Sequence, residues 1–248
     1  MKKIGVLDSG IGGLSLMRDL IKSNLDADYF YASDSANVPY GGKSQDFMLG
    51  QLKLLVNKLL EKRVEAVIIA CNTATSETIN QLRDCYDITF IGIEPYINYL
   101  NHTTDENLAL ILTEATFESK RFKDLVLKYD SKNEVKIYPL KSLALIIESL
   151  FEKSFTELEA QIRKELEFLE NTKIDSLILG CTHYPLISKY LEKSYKIKTI
   201  DPSKFVISHL SKELNIHSTN KKDPTFQYSR NIQSGWMDKH ITDFDIFY

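Results

Sequence analysis

The sequence predicts an α/β fold: two pseudo-symmetric Rossmann-like domains with mostly parallel sheets. Three observations carry the prediction. Short apolar runs alternate with helical patterns, which implies βαβ units. The runs are uniformly apolar rather than alternating, as in strands covered on both faces. One segment echoes another at an offset of 110 residues: Glu65-Ala-Val-Ile-Ile-Ala-Cys71-Asn72-Thr73 lies over Asp175-Ser-Leu-Ile-Leu-Gly-Cys181-Thr182-His183. A weaker echo places Ile4 to Ser9 over Leu108 to Thr113 at an offset of 104. Two similar offsets suggest two related halves of around a hundred residues each.

The expected strands are Ile4–Leu7, Tyr29–Ala32, Ala66–Ala70, Leu108–Leu112, Val135–Tyr138 and Leu177–Leu179. The expected helices are Leu14–Ile21, Gln45–Lys62, Ser142–Ser149 and Glu157–Glu170. The Gln45–Lys62 helix has apolar residues at 48, 49, 52, 55, 56, 59 and 60. In such sheets ligands bind outside the carboxyl ends of the strands. Each of these strands ends in a polar or small residue: Asp8, Ser33-Asp34, Cys71, Thr113, Pro139 and Gly180-Cys181. The residues after Phe205 exceed what two halves require and are expected to pack back on the first.

Composition narrows the function. The chain has 248 residues, 43% hydrophobic and 26% charged, with 31 Lys+Arg against 34 Asp+Glu. A net charge of −3 argues against a nucleic-acid partner, which calls for a concentrated basic excess. No apolar run approaches the roughly 18 residues of a membrane span. Only the four residues Ile4 to Leu7 separate Lys3 from Asp8, too few for a signal peptide. A cytoplasmic protein without a membrane partner is expected. Cys71, Cys85 and Cys181 form no disulfide framework.

Cys71 and Cys181 each end an apolar strand and precede hydrogen-bonding residues and a helical pattern. A thiol there feels the positive end of the helix dipole, which favours thiolate and lowers its pKa from about 8.5. A buried cysteine can also be a small hydrophobe; matched positions in two halves favour chemistry. Cys85 lacks this setting and is read as packing. No Cys-x-x-Cys motif supports a redox pair, and the ligand spacing of a zinc site is missing, so no metal is expected. A redox or metal role is disfavoured by this spacing, and a third option is proton transfer: one thiolate takes a proton from carbon and the facing thiol returns one to the other side. The loop Asp8-Ser9-Gly10-Ile11-Gly12-Gly13 is a poor dinucleotide fingerprint, because Ser15 stands at the third glycine. It can still cradle a carboxylate. Ser33-Asp34-Ser35-Ala36-Asn37-Val38-Pro39-Tyr40-Gly41 reads as a polar turn.

These motifs, with Gly92-Ile-Glu94-Pro95 and Gly180-Cys181-Thr182-His183-Tyr184-Pro185-Leu186, resemble the glutamate racemases of the cofactor-independent aspartate/glutamate racemase superfamily. The resemblance spans residues 4 to about 186 in the family's order. It implies an active site in a cleft between two domains, 1–95 with 205–248 and 96–204, and no cofactor. It implies that Cys71 deprotonates D-glutamate and Cys181 L-glutamate, assisted by Asp8 and His183 respectively. Ser9, Pro39, Tyr40, Gly41, Asn72, Thr73 and Thr182 would hold the substrate, with Thr113, Thr116 and Glu148 as further family positions. The partner is thus a small molecule, glutamate, and a homodimer is one assembly the resemblance allows. The product would feed peptidoglycan synthesis. Alternatives are a racemase of aspartate or another amino acid, or a non-catalytic small-molecule binder on the same scaffold. The chain departs from the family pattern at Leu112, where glycine is usual, at Leu145, where proline is usual, and at Ser229-Arg230-Asn231, where Ser-Gly-Asp is common. The first departure bears on the contact by Thr113 and Thr116, and the last on the packing of the returning segment.

Overall fold

The computed structural model describes residues 1–219, 225–244 and 246. The returning segment 205–248 therefore lies partly outside the described residues. In chain order, the first half contains β1 (Lys2–Asp8), α1 (Leu14–Lys22), β2 (Ala27–Ser33), α2 (Gln45–Leu60), β3 (Ala66–Ile69), α3 (Asn72–Cys85) and β4 (Thr89–Gly92). The second contains β5 (Leu108–Thr113), α4 (Glu114–Glu118), α5 (Lys120–Tyr129), β6 (Lys136–Leu140), α6 (Leu143–Glu148), α7 (Phe155–Glu165), β7 (Ser176–Leu179), α8 (Ser188–Tyr195) and β8 (Lys198–Ile200). Then follow α9 (Ser203–Glu213), β9 (Thr225–Ser229) and β10 (Met237–His240).

The two sheets share one design. The first has the order β10-β9-β2-β1-β3-β4 and the second β6-β5-β7-β8. If β9 and β10 are set aside, each unit runs second, first, third, fourth strand, and every pairing within it is parallel. β3 and β7, which precede the two echoing cysteines, occupy equivalent places. β9 pairs parallel with β2, and β10 returns antiparallel at the edge. The four residues of β3 and the four of β7 are all buried, as strands covered on both faces must be.

The expected strands are found with shifts of one or two residues. The helix expected over Glu157–Glu170 is instead α7, ending at Glu165, followed by a separate 3₁₀ turn over Glu167–Asn171. Ser154 and Glu157 form a capping box at its start, so the helix begins at Phe155, two residues before the expected Glu157. Sequence reading missed β4, β8, β9 and β10. β8 is the tripeptide Lys198-Thr199-Ile200, too short and polar to register alone.

One apolar core runs through both halves. It joins Ile4, Val6 and Ile68 to Ile111, Leu177 and Leu179, with Leu14 and Met17 of α1 and Leu143 and Ile147 of α6. Separate clusters fill the far face of each sheet, under α2 and α3 in the first half and under α5 in the second. The strand ends carrying polar residues are thus held rigidly on packed elements, the arrangement that gives a site its precision.

Candidate active site

Cys71 and Cys181 each lie two residues beyond their strand, and each is only 7% exposed. Their local structures differ. Cys71 is the N-cap of α3, with extended backbone, and its Sγ accepts from Ala74 N at 3.5 Å and from Ser9 Oγ at 3.7 Å. Cys181 precedes only a short 3₁₀ turn, Tyr184–Ile187, and α8 begins at Ser188. The helix expected directly after Cys181 is therefore absent. Its neighbour is His183, whose Nδ1 lies 3.7 Å from Cys181 Sγ.

The expectation of a lowered thiol pKa fails for Cys71. Burial pushes the thiol up, and the charges of Asp8 and Cys181 push the same way; the hydrogen bonds from Ala74 N and Ser9 offset only part. Desolvation outweighs the helix terminus. The Asp8 carboxyl is raised to about 6, again by burial first, against the His183 charge and the amides of Gly13 and Gly10. Asp8 Oδ2 accepts from Gly13 N at 2.8 Å, while Oδ1 has no hydrogen-bond partner among the described residues. Burial would lower His183, but hydrogen bonds to Cys181 and Glu148, reinforced by their charges, raise it well above the usual histidine range.

Glu148, at the end of α6, ties the halves together. Its Oε2 is 2.8 Å from His183 Nε2 and accepts from Ile11 N, also at 2.8 Å. Ser15, the residue that spoils the dinucleotide fingerprint, donates to Thr182 O at 3.0 Å. The first loop approaches the second half so closely that side chains are excluded. A Cβ at Gly10 would overlap the Glu148 carboxylate, and one at Gly12 would sit 2.6 Å from Thr182 Oγ1 and from His183 Nδ1.

The remaining expected site residues divide. Thr73, Thr113 and Thr116 form a triangle of hydroxyls with oxygens 2.9–3.1 Å apart, joining α3 to the end of β5. Leu112 is fully buried and leaves that triangle intact. The Asn72 amide is buried with neither its nitrogen nor its oxygen paired among the described residues. Tyr40 is buried and donates to Asp34 Oδ2 at 3.0 Å. Asp8 and Cys71 both act electrostatically on its hydroxyl. Pro39, preceded by a cis peptide bond, is half-buried, whereas Gly41 is exposed, and a Cβ there would lie 4.0 Å from Ala115 Cβ. Cys85 is exposed at the end of α3, so its reading as a packing residue is corrected. Leu145 is likewise exposed.

Two contributors were missed in the sequence. Asp34 holds both Asn37 Nδ2 and the Tyr40 hydroxyl, and its place at a strand end was the available signal. Tyr31 donates to Gly10 O at 2.6 Å from inside an apolar run, which gave no signal. Among the described residues there is no cluster of three or more His, Cys, Asp and Glu suited to a metal ion, and no helix long and apolar enough to cross a membrane.

The arrangement sets two buried thiols each near a titratable group, Asp8 for Cys71 and His183 for Cys181. The chain is similar to known proteins. The family model described as Asp/Glu/Hydantoin racemase matches residues 5–210. The glutamate racemase of Clostridium novyi (strain NT) is 40% identical over 192 residues, 77% of this chain and 74% of that protein. The glutamate racemase of Persephonella marina is 33% identical over 258 aligned residues, 98% of this chain and 97% of the relative. Among solved structures, glutamate racemase from Campylobacter jejuni superposes with a TM-score of 0.72 at 28% identity, covering 93% of this chain and 94% of that one. Glutamate racemase from Francisella tularensis in complex with D-glutamate gives 0.68 at 29% identity, over 92% and 87%.

Proposed function

Because the chain belongs to the Asp/Glu/Hydantoin racemase family, we propose that it interconverts L- and D-glutamate without a cofactor, using Cys71 and Cys181 as acid and base on opposite faces of the α-carbon. The observation that carries this reading is the pair of buried thiols at equivalent strand ends of two sheets with the same order.

From D-glutamate, the Cys71 thiolate takes the α-proton and the Cys181 thiol delivers one to the opposite face; from L-glutamate the roles exchange. A thiol as disfavoured for ionisation as Cys71 needs a proton acceptor. Asp8, with its carboxyl raised to about 6, is ionised at neutral pH and a stronger base than an ordinary carboxylate, which makes it the acceptor in this reading. His183 exchanges a proton with Cys181, and Glu148 on its far nitrogen holds the ring in place. The carbanion-like state needs positioned donors in a water-poor site. The threonine hydroxyls and the unpaired Asn72 amide supply donors for substrate carboxylates. Ser9, Tyr40, Thr182 and the Pro39–Gly41 turn complete the substrate shell in this reading.

In the same reading, residues 1–95 with 205–248 and residues 96–204 act as two bodies closing on the substrate. The enzyme works in the cytoplasm, as a monomer or homodimer, and supplies D-glutamate for peptidoglycan. Incubation of the reduced protein with L-glutamate in D2O tests the reaction. Loss of optical rotation with deuterium appearing at the α-carbon is expected; absence of exchange overturns the proposal. Aspartate, run in parallel, exchanges more slowly if glutamate is the substrate.

A further inference from the structure

Arg230 stands where the sequence departs from the family pattern, and it contacts both halves. Its backbone oxygen accepts from Ser33 Oγ at 2.9 Å and from Ser35 N at 3.3 Å, fixing it to the end of β2. Its guanidinium carbon lies 3.9 Å from the centre of the Phe151 ring, and a guanidinium nitrogen lies 3.7 Å from Glu152 Oε1. Phe151 and Glu152 belong to the second half. They follow Glu148 directly through the 3₁₀ turn Ser149–Phe151. Arg230 and Glu148 both act electrostatically on Tyr228.

We propose that Arg230 is a positioning residue for the reaction: it clasps Phe151 across the two halves and so seats Glu148 on Ile11 N and His183. The ring contact carries the clasp. Glu152 is exposed, and a solvated ion pair contributes little, whereas guanidinium stacked on an aromatic face is both attractive and directional. Glu148 packs on Gly10, but among the described residues its one hydrogen bond to the first half is that from the Ile11 amide. A second anchor three residues along the chain limits how far the turn can swing away. When the clasp opens, Glu148 leaves Ile11, and the binding-competent closed form becomes less populated, which raises apparent KM in proportion.

The kinetic consequence rests on the racemase reading; the structural one does not, and the test separates them. Backbone amide exchange at Ile11 is measured by NMR in the wild type, Arg230→Ala, Arg230→Lys and Phe151→Leu. Faster Ile11 exchange, about threefold to tenfold, is expected for Arg230→Ala and Phe151→Leu, with Arg230→Lys in between. In glutamate turnover KM should rise by a similar factor, with kcat falling less. An Ile11 rate unchanged in both Arg230→Ala and Phe151→Leu overturns the clasp, whatever the activity. If the wild type fails to racemise glutamate, the exchange rates still decide this proposal. If Arg230→Ala does not fold, Phe151→Leu and Arg230→Lys carry the test.

Discussion

The surroundings of Cys71 and Cys181 differ although the two halves share one strand order. Both thiols are equally buried and follow equivalent strands. Around Cys71 the chain places a buried carboxyl, a serine hydroxyl and a helix amide. Around Cys181 it places an imidazole backed by a second carboxylate. The first group presents an anion to a thiol that resists ionisation, and the second presents a cation. Strand topology fixes where each sulfur sits, whereas the loops that follow decide its partners. In the proposed mechanism, catalysis from either enantiomer needs the two thiols in opposite protonation states, and this asymmetry would supply a separate relay for each.

The largest effects are expected at the thiols themselves. Cys71→Ser and Cys181→Ser should each lower racemisation by about 10²–10⁴-fold, the range for loss of a positioned acid or base. Circular dichroism of glutamate over time measures this. A near-wild-type rate in either variant removes that cysteine from the mechanism.

The partners differ in a subtler way. Asp8→Asn and His183→Asn should each reduce kcat/KM by about 10²-fold. Enantiomers have an equilibrium constant of one, so each variant must lose kcat/KM equally in both directions. The asymmetry emerges in isotope effects: Asp8→Asn should enlarge the effect seen with α-deuterated D-glutamate, and His183→Asn that seen with the L-form. Equal effects for both substrates in both variants would contradict separate relays.

Stability gives a third contrast. The folded state raises the Asp8 carboxyl from 3.8 to about 6, so folding favours its protonated form. Stability is then highest below about pH 4 with respect to this group and declines as pH rises to about 6. Above that, the buried charge costs up to about 3 kcal/mol, at about 1.4 kcal/mol per unit. Asp8→Asn should therefore be more stable than wild type at pH 7 and lose that advantage near pH 4, although its activity is lower. His183 is also raised on folding, so its contribution is full below about pH 6.5 and lost at higher pH. Urea unfolding across pH 4 to 9 separates the two windows.

Much of this was legible in the sequence because strand ends announce themselves. An apolar run stopping at Asp8, Cys71 or Cys181 reports both a strand and its functional edge. β8 and β9 were not legible because their places depend on pairing with distant strands rather than on local pattern. The charge states were less legible still. A helix terminus is visible in sequence, but the burial that raises Cys71 arises from segments far apart in the chain. Glu148 shows the same limit: it lies 137 residues from Ile11, and only the family resemblance singled it out.

Ser9 offers the smallest test of the comparison and the most local. It donates to Cys71 Sγ at 3.7 Å, a long bond to a soft acceptor, and is 3% exposed. A hydrogen bond to an ionised sulfur favours the thiolate, so its loss leaves Cys71 harder to deprotonate. About 1 kcal/mol is at stake, and Ser9→Ala should slow turnover by about fivefold. The effect belongs to one relay alone. The isotope effect with α-deuterated D-glutamate should rise in Ser9→Ala while that with the L-form stays at its wild-type value. Equal changes with both would mean that Ser9 holds the substrate rather than tuning the sulfur.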